Sequence, residues 1–258
     1  MDHLTPLPAP SAHVLVALGG VAAATPLPPL PWHDVIAVDS GGDLLMRLGQ
    51  PARLVIGDLD SISPAALAFH RAAGATIRRF PADKDQTDFE LALAALPVDA
   101  SAMVHLCGFW GGRLDHALMN LLVLRHFTDR GLFTFDTGTA STADADEPGL
   151  GCGGVLGPGR LRLTLPVGTP VALLALDDCR GLDSTGVRWP LTGATLARGE
   201  ARGISNVTTA PTWDLAVTEG CLVWLVRGLA RAAVGIEWHC AASPRRGPTA
   251  TAPDRAAR

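Results

Sequence analysis

The first half of the chain alternates between short apolar runs and stretches with helical features, and this alternation limits the possible folds strongly. The runs are mostly β-branched and of strand length. They cover residues 13–18, 34–39, 53–56, 75–80, 103–109 and 132–136. Strands that alternate with helices pair in parallel, with the helices on the sheet faces. Residues 1–136 are therefore predicted to form a Rossmann-like α/β domain with a parallel sheet.

Local signals mark the helices between these runs. Ser63 is a good N-cap residue, and Pro64 after it suits the first helical position. Thr87 and Glu90 have the spacing of a capping box, in which each side chain binds the backbone N–H of the other residue. The predicted helices cover residues 64–73, 87–96 and 114–127.

The second half has a different pattern. Residues 137–160 are mostly small, acidic, Gly or Pro without periodicity, which predicts a linker or mobile loop. Short apolar runs separated by Gly, Pro or Asp then predict an all-β sandwich over residues 161–240. These runs cover residues 161–165, 170–176, 187–191, 194–197, 203–207, 213–217 and 221–226. Residues 241–258 contain four Arg and three Pro and are predicted to be a disordered tail.

Composition narrows the class of protein. Hydrophobic residues make up 48% of the 258 residues, enough to bury a large core, and this excludes disorder over the whole length. The formal net charge of −4 provides no basic surface for nucleic acid or for an anionic membrane. The five cysteines include no Cys-x-x-Cys pair, and no basic segment precedes the first apolar run. Both features favour a cytoplasmic location.

Glycines and acidic residues follow five successive predicted strands. In an open parallel sheet, ligands bind beyond the carboxyl ends of the strands. The segments after the first five strands cover residues 19–20, 39–42, 57–61, 83–88 and 111–116. The sequence therefore predicts a binding site where these five segments meet, at one rim of the sheet.

Two of these segments contain a dense acidic cluster. Its members are Asp58, Asp60, Asp83, Asp85 and Asp88. Carboxylates this close raise one another's pKa unless a cation lies among them, and hard oxygen ligands suit Mg²⁺ bound together with phosphates. Lys84 is the only lysine of the chain, against 20 arginines, and its compact ammonium suits a phosphate group. The alternative is that these aspartates are turn and N-cap residues, and Asp88 could be both.

A second candidate is the turn before the third predicted helix. Gly111 and Gly112 would let backbone N–H groups approach an anion, and Arg113 could bind a phosphate through two hydrogen bonds. Asn120 lies one turn after His116, although His116 could equally be a buried helix histidine. The chain has no P-loop, and no Gly-x-Gly-x-x-Gly follows the first strand, which counts against a dinucleotide cofactor.

Three motifs, in this order and spacing, resemble the signature blocks of thiamine pyrophosphokinases. They cover residues 55–62 (VIGDLDSI), 83–90 (DKDQTDFE) and 111–120 (GGRLDHALMN). In the β-rich half, residues 186–191 (GVRWPL) and 203–206 (GISN) are similar to segments on the thiamine side of that family. The resemblance spans about residues 13–227.

This resemblance implies a fold, an assembly and an activity. The fold is an α/β domain that binds ATP and Mg²⁺, followed by a β-sandwich that binds thiamine. The assembly is a homodimer whose active sites lie between the α/β domain of one subunit and the sandwich of the other. The activity is Mg²⁺-dependent transfer of the pyrophosphoryl group of ATP to the hydroxyl of thiamine, with release of AMP. Thiamine and ATP are then the small-molecule partners, without nucleic acid or membrane.

Carried over residue by residue, the resemblance gives roles to positions of this sequence. Asp58, Asp60, Asp85 and Asp88 match metal ligands, and Asp39 matches an acidic position on the substrate side. Lys84, Arg113 and Asp115 match the nucleotide and phosphate side, to which the helix-opening turn adds Gly111, Gly112 and Asn120. Trp189, Ser205 and Asn206 match the pocket for the thiamine rings, although Trp189 could also be a core residue. The catalytic set is Asp58, Asp60, Lys84 and Asp88, with Asp58 or Asp88 as the candidate base.

Two positions depart from the family pattern, and two other functions stay open. Ser40 stands where glycine is usual, and Val207 where an acidic residue is usual. One other function is a Mg²⁺-dependent phosphotransferase or phosphatase in which Asp58 of the Asp58-x-Asp60 pair is the nucleophile. The other is a non-catalytic sensor that binds thiamine on the same scaffold.

Overall fold

The computed structural model describes residues 7, 9–20, 27–96, 101–111, 113–137 and 151–240. In the first half, the described strands are β1 (His13–Ala17), β2 (Asp34–Val38), β3 (Leu54–Gly57), β4 (Thr76–Arg79), β5 (Met103–Cys107) and β6 (Leu132–Asp136). The helices are α1 (Gly41–Arg47), α2 (Pro64–Ala72), α3 (Asp88–Ala94) and α4 (Leu114–Leu124). All six predicted strands are therefore confirmed within a few residues.

The second half contains strands and short 3₁₀ turns. The strands are β7 (Gly151–Leu156), β8 (Gly159–Thr164), β9 (Pro170–Ala175), β10 (Cys179–Thr185), β11 (Leu191–Leu196), β12 (Asn206–Val207), β13 (Thr212–Val217), β14 (Leu222–Arg227) and β15 (Gly235–Cys240). The 3₁₀ turns are Arg125–Arg130, Ala201–Gly203 and Arg231–Ala233, the first of which follows α4 directly.

A ten-stranded mixed sheet connects the two halves. Strands β6-β5-β1-β2-β3-β4 are neighbours in this order and pair in parallel, as the alternation predicted. Beyond β6 the sheet continues through the antiparallel strands β7-β14-β9-β12. The six strands of the first half are parallel, but the sheet as a whole is mixed, so the description of a Rossmann-like parallel sheet is not confirmed. The physical reason is that β6 would otherwise leave an unpaired edge, which β7 covers.

A second sheet of five antiparallel strands, in the order β11-β10-β13-β8-β15, forms the other layer of the sandwich. Its side chains share one core with the antiparallel part of the mixed sheet, with Trp213 from the five-stranded sheet and Trp224 from the mixed sheet both buried. Gly154 on β7 makes room for Trp224, because a Cβ there would lie 2.6 Å from the indole ring. The sandwich prediction is thus confirmed, with one layer that continues the first sheet.

Residues 137–160 were predicted to form a linker, but the C-terminal part of this segment forms strands. Strand β7 begins at Gly151, and β8 begins at Gly159. Every residue of β7 is buried, so the strand shows none of the alternation between apolar and polar residues that marks a half-exposed strand. Residues 138–150 and the predicted tail 241–258 lie outside the described residues.

Two of the apolar runs predicted in the second half are not strands over that length. Val187 forms only an isolated bridge with Thr208, and the strand nearby begins at Leu191. Gly203 ends a 3₁₀ turn, so only Asn206–Val207 is extended and paired. Strands β10 and β15 contain many polar residues, and for this reason they escaped the apolar pattern.

The helix signals are largely confirmed. The hydroxyl of Ser63 accepts the backbone N–H of Ala66 at 3.1 Å, and Thr87 and Glu90 form the complete capping box of α3. Helix α4 is three residues shorter than predicted. Helix α1 was not predicted because it opens with two glycines, of which Gly41 packs against the carbonyl of Ala17. Among the described residues, no helix is long and apolar enough to cross a membrane.

All five cysteines are free thiols, and four of them are buried. Burial raises the pKa of Cys107 and of Cys152 to about 12. Both thiols are therefore protonated at neutral pH and act as small apolar core residues.

A buried polar network lies between β5, β6 and the 3₁₀ turn Arg231–Ala233. The His105 Nε2 lies 3.5 Å from Asp136 Oδ2, and its Nδ1 lies 3.2 Å from the Thr134 hydroxyl. The backbone N–H of Arg231 donates to Asp136 Oδ1 at 2.8 Å, and its guanidinium donates to the carbonyl of Val234 at 3.0 Å. Burial lowers the pKa of His105 in spite of the carboxylate beside it.

We expect the free energy of unfolding to fall as the pH drops below 6.5, the ordinary pKa of histidine. Below that value the unfolded chain takes up a proton at His105 that the folded protein, with its lowered pKa, does not. Chemical denaturation above and below pH 6.5 measures the effect. The His105→Gln variant should show a smaller pH dependence, and an unchanged dependence would contradict this role.

Candidate active site

An open cavity of about 560 Å³ lies at the carboxyl ends of the parallel strands. Each of the five segments expected at this rim contributes to the lining. The contributing residues include Gly19 after β1, Asp39 after β2, Asp58 after β3, Lys84 after β4 and Gly111 after β5. The cavity therefore joins the glycines, acids and lysine that the sequence places after separate strands.

Three carboxylates converge in this cavity. One oxygen each from Asp39, Asp58 and Asp60 lies within 4.8 Å of the other two. Leu59 has a left-handed φ of 63°, which turns the backbone N–H of Asp60 towards Asp58 Oδ1 at 3.2 Å. Asp39 also has a left-handed φ, of 46°. Non-glycine residues adopt this conformation rarely, and such strain is typical of functional sites.

Gly57 and Lys84 hold a fourth carboxylate beside these three. A Cβ at Gly57 would lie 3.1 Å from the Cβ of Asp39 and 3.2 Å from the carboxyl carbon of Asp88, so only glycine leaves both in place. The ammonium of Lys84 lies 3.0 Å from Asp88 Oδ1 and donates to the carbonyl of Pro81 at 3.0 Å. Both side chains of this ion pair are mostly buried, at 15% and 19% exposure.

The chemistry of the carboxylates fits a hard divalent cation. The nearby charge of Asp58 raises the pKa of Asp60, with smaller contributions from desolvation and from Asp39. Asp39 Oδ1 is buried without a hydrogen-bond partner among the described residues, while Oδ2 accepts the hydroxyl of Ser61. Repelling carboxylates with an unsatisfied oxygen form a donor set that suits a hard cation such as Mg²⁺.

Arg113 occupies the N-cap position of α4, without a capping hydrogen bond from its side chain, and lines the cavity. Its guanidinium forms two hydrogen bonds to Asp115, at 3.2 and 2.5 Å, and both side chains are more than half exposed. The Arg113 side chain holds the pKa of Asp115 at about 2. Asp115 is therefore an ionised partner that orients Arg113, and an anionic ligand would compete with it for the guanidinium.

The structure brings together most of the residues predicted for the nucleotide and metal side. Those that line the cavity are Asp39, Asp58, Asp60, Lys84, Asp88, Gly111, Arg113 and Asn120. Asp85 and Asp115 do not line it, and Gly112 lies outside the described residues. The roles of all these residues stay predictions.

The cavity also contains residues to which the sequence assigned no individual role. Ser61 binds Asp39 through its hydroxyl, and Phe109 lines the cavity while stacking on Phe135 with ring centroids 4.9 Å apart. The sequence placed Ser61 in the rim segment 57–61 but gave no signal for its contact with Asp39. Thr87 and His116, which the sequence left with structural alternatives, line the cavity as well.

A second cavity of about 420 Å³ lies in the sandwich half and shares no lining residue with the first. Trp189 and Asn206 line it, whereas Ser205 does not. Trp189 is 56% exposed, so it is not a core residue. The guanidinium of Arg188 lies 5.2 Å from the centroid of the Trp189 ring, within cation–π range.

The Asn206 side chain fixes the position of Trp189. Its amide donates to the Trp189 carbonyl at 2.9 Å, and its Oδ1 accepts the Trp189 backbone N–H at 3.2 Å. The same Oδ1 accepts the N–H of Val207 at 2.9 Å. Asn206 therefore holds the backbone of Trp189, and much of the hydrogen-bonding capacity of the Asn206 side chain is already used.

Known proteins resemble this chain in sequence and in fold. Thiamine pyrophosphokinase of Bacillus subtilis is 34% identical over 89 residues, or 34% of this chain and 42% of that protein. Thiamine pyrophosphokinase 3 of rice (Oryza sativa subsp. japonica) is 23% identical over 191 residues, or 67% of this chain and 65% of that protein. In both cases the aligned region is less than two thirds of the relative's own length.

The fold is similar to that of a solved structure. The crystal structure of thiamine pyrophosphokinase from Bacillus subtilis superposes with a TM-score of 0.63 at 21% identity. The match covers 83% of this chain and 98% of that chain. It therefore includes both the mixed sheet and the sandwich.

Family models match both halves of the chain. The model described as "Thiamin pyrophosphokinase, catalytic domain" matches residues 32–134, which contain the carboxylates of the first cavity. The model described as "Thiamin pyrophosphokinase, vitamin B1 binding domain" matches residues 161–222, which contain Trp189 and Asn206. Together they match more than half of the 258 residues, and the chain belongs to the thiamin pyrophosphokinase family.

Proposed function

We propose that this protein transfers the pyrophosphoryl group of ATP to thiamine, giving thiamine diphosphate and AMP. The observation that carries the proposal is the convergence of Asp39, Asp58 and Asp60 within 4.8 Å, beside Lys84, in a cavity of the region that matches the catalytic domain. The phosphatase and the sensor are not favoured. The match to a vitamin B1 binding domain is not expected of a general phosphatase. The grouped carboxylates are not expected of a protein that only binds thiamine.

The carboxylates of Asp39, Asp58 and Asp60 would hold Mg²⁺. Bound there, the metal would neutralise charge on the phosphates of ATP. Asp88 would hold the Lys84 ammonium in place through their ion pair, so that Lys84 faces the phosphates as a fixed positive charge. Arg113 at the start of α4 would add a second cation once the ligand displaces Asp115.

The hydroxyl oxygen of thiamine attacks the β-phosphorus of ATP, and the bond from that phosphorus to the oxygen shared with the α-phosphorus breaks. AMP leaves with that oxygen, and the hydroxyl proton passes to a carboxylate. Asp58 and Asp88 are both candidates for this base, Asp58 beside the proposed metal and Asp88 paired with Lys84.

The second cavity would hold the thiamine rings. Trp189 offers an exposed aromatic face, and attraction between a cation and an aromatic ring favours the thiazolium on that face. Asn206 would act through Trp189, whose backbone it holds at both polar atoms. Ser205 lies outside the lining of this cavity, so its predicted contact with the rings has less support.

We further propose a homodimer. Each active site would combine the first cavity of one subunit with the second cavity of the other subunit. Within one subunit the cavities share no lining residue. Helix α4, which lines the first cavity, exposes Leu114, Leu118 and Leu122 along one face. Beside the second cavity, Trp189 is 56% exposed and Ile204 is 50% exposed. Two apolar surfaces, one next to each cavity, support a contact between subunits that brings the cavities together.

The location proposed for this enzyme is the cytoplasm. Five free cysteines, four of them buried, fit a reducing compartment in which disulfides do not form.

Incubation of the protein with ATP, MgCl₂ and thiamine tests the activity directly. We expect AMP and thiamine diphosphate in equal amounts, and no product when EDTA replaces the metal. Release of ADP or inorganic phosphate in place of AMP would overturn the proposal. Tight binding of thiamine without any product would indicate the sensor.

Complementation between two inactive variants tests the shared sites. Asp58→Asn and Trp189→Ala should each be inactive alone. After mixing and subunit exchange, activity should return to about a quarter of the wild-type value, because half of the dimers are hybrids with one intact site. Size-exclusion chromatography shows whether hybrid dimers form. If hybrid dimers form but activity does not return, both cavities of an active site must belong to the same subunit, and the shared-site proposal is wrong.

A further inference from the structure

Arg79 on β4 contacts the acidic segment of the first cavity without lining the cavity itself. Its Nε donates to the backbone carbonyl of Asp58 at 3.1 Å. The backbone ladder between β3 and β4 pairs Gly57 with Arg79, and the N–H of Phe80 donates to the carbonyl of Gly57 at 2.9 Å. The side chain of Arg79 therefore continues this ladder by one hydrogen bond, to the first residue beyond β3.

The carbonyl of Asp58 belongs to the turn that brings the carboxylates together. The next residue, Leu59, has a left-handed φ of 63°, which a leucine adopts only when its surroundings favour it. In the same turn the N–H of Asp60 donates to Asp58 Oδ1 at 3.2 Å. Because the carbonyl of Asp58 and the N–H of Leu59 share one peptide plane, a hydrogen bond to this carbonyl fixes the orientation from which the turn starts.

The contact acts on the backbone and not on the carboxylates. Within the described part of the chain, the Arg79 guanidinium bonds to the Asp58 carbonyl and lies within ion-pair distance of no carboxylate. Arg79 is exposed, so solvent and salt screen its attraction to acids farther away. Its contribution to the site is therefore mainly the orientation of the turn.

We propose that Arg79 is a positioning residue for the metal site: by holding the carbonyl of Asp58, it keeps the carboxylates of Asp58 and Asp60 directed at one divalent cation. Arg79 itself touches neither the metal nor the substrates. This inference rests on the proposed function, since the cation is the one that the reaction would use.

Geometry and charge predict opposite effects of removing this arginine. Loss of a positive charge near three carboxylates would by itself strengthen the binding of a cation. Loss of the hydrogen bond would let the turn leave its strained conformation and would weaken the binding of a cation. The sign of the change in metal affinity therefore identifies which effect dominates, and we expect a loss of affinity.

Replacing Arg79 with methionine or with glutamine separates the two effects. Both new side chains are neutral, and the amide nitrogen of glutamine lies as many bonds from the backbone as the Nε of arginine does. Arg79→Met should therefore lose the hydrogen bond to Asp58, whereas Arg79→Gln should keep it. We expect Arg79→Met to bind the metal about tenfold more weakly than wild type, and Arg79→Gln within about twofold of wild type.

Electron paramagnetic resonance of Mn²⁺ measures the binding of the metal alone, without nucleotide or thiamine. Mn²⁺ is a suitable probe because it takes the same carboxylate ligands as Mg²⁺. In an assay of AMP formation, the Mg²⁺ concentration that gives half the maximal rate should rise about tenfold in Arg79→Met. The rate at saturating Mg²⁺ and the KM for thiamine should stay close to wild type, because the lost contact affects the affinity for the metal.

Arg78→Met is the matched control. Arg78 is an exposed arginine of the same strand, and the alternation of side chains along β4 places it on the opposite face of the sheet. The control removes the same charge but no bond to the turn, so Mn²⁺ binding should be equal to wild type or slightly tighter. Thermal melts show whether each variant is folded, and Arg79→Ala, which also lacks a donor, replaces Arg79→Met if that variant does not fold.

Other outcomes would overturn the inference. Unchanged or tighter Mn²⁺ binding in Arg79→Met would mean that the turn does not depend on this side chain. Equal weakening in Arg79→Met and Arg79→Gln would exclude the hydrogen bond as the cause, and equal weakening in Arg78→Met would assign the effect to the strand as a whole. A raised KM for ATP with unchanged Mn²⁺ affinity would make Arg79 a phosphate contact.

Failure of the inference is distinguishable from failure of the proposed function. If the wild-type protein makes AMP and thiamine diphosphate but all variants bind Mn²⁺ equally, only the role of Arg79 is wrong. If Mn²⁺ binding follows the expected order but no AMP forms, the proposed transfer is wrong and the role of Arg79 in metal binding stands.

Discussion

Replacing Asp58 with asparagine should lower the rate of thiamine diphosphate formation by at least about 10²-fold. The substitution removes one negative charge from the group formed with Asp39 and Asp60, on which the proposed metal binding depends. The shape of the side chain is retained, and relief of repulsion offsets any lost contact. The melting temperature should therefore change little or rise slightly.

Steady-state kinetics at several Mg²⁺ concentrations measures this effect, and high Mg²⁺ should restore part of the lost rate. Asp83→Asn is the control, because Asp83 lies in the same stretch of sequence but is exposed and does not line the cavity. Its rate should be close to wild type. A large fall in the melting temperature of Asp58→Asn would mean that Asp58 is structural, and similar losses in both variants would contradict a specific metal site.

Replacing Asp136 with alanine should lower the free energy of unfolding by about 3 kcal/mol. The carboxylate accepts the backbone N–H of Arg231 and lies beside His105, and Arg231 is itself buried. Although burial raises the pKa of Asp136, the hydrogen bonds from His105 and Arg231 lower it more, and the carboxylate is ionised at neutral pH. Its loss leaves a buried guanidinium without its neighbouring anion.

Urea denaturation of three variants separates the contributions. Asp136→Asn keeps an acceptor for the Arg231 N–H and should be less destabilised than Asp136→Ala. Asp115→Ala breaks the exposed pair with Arg113 and should leave the unfolding free energy nearly unchanged, because solvent screens that pair. Equal losses for Asp136→Ala and Asp115→Ala would contradict the importance of burial.

The parallel half of the fold was predictable from sequence, whereas its continuation was not. Runs such as Asp34–Val38 and Leu132–Asp136 are apolar on both faces, and the glycine, proline and capping residues between them are strong signals. Four of the six residues of strand β7 are glycine or cysteine, so its local sequence does not distinguish it from a loop. Only the unpaired edge of β6 and the bulk of Trp224 explain its conformation, and both are tertiary effects.

The candidate site was predictable in its charges but less so in its contacts. The rule that ligands bind beyond strand ends brought Asp58 and Lys84 to one rim, and the structure agrees with this placement. Spacing alone could not separate Asp60, which faces Asp39, from Asp85, which does not line the cavity. Nor could it reveal that the amide of Asn206 is engaged with Trp189, because that contact depends on a bridge between distant segments.

The backbone pairing of β6 with β7 limits how the molecule can move. Four residue pairs connect these strands, so the parallel strands that carry the first cavity and the antiparallel strands of the sandwich half belong to one continuous hydrogen-bonded sheet. A hinge that closed one half over the other would have to break this ladder, at a cost in unsatisfied backbone groups. Closure of one half over the other, a common way to bring two substrates together, is therefore costly for this chain. If the two cavities form one active site, as proposed, they would come together through association of two copies of the chain and not through bending of one.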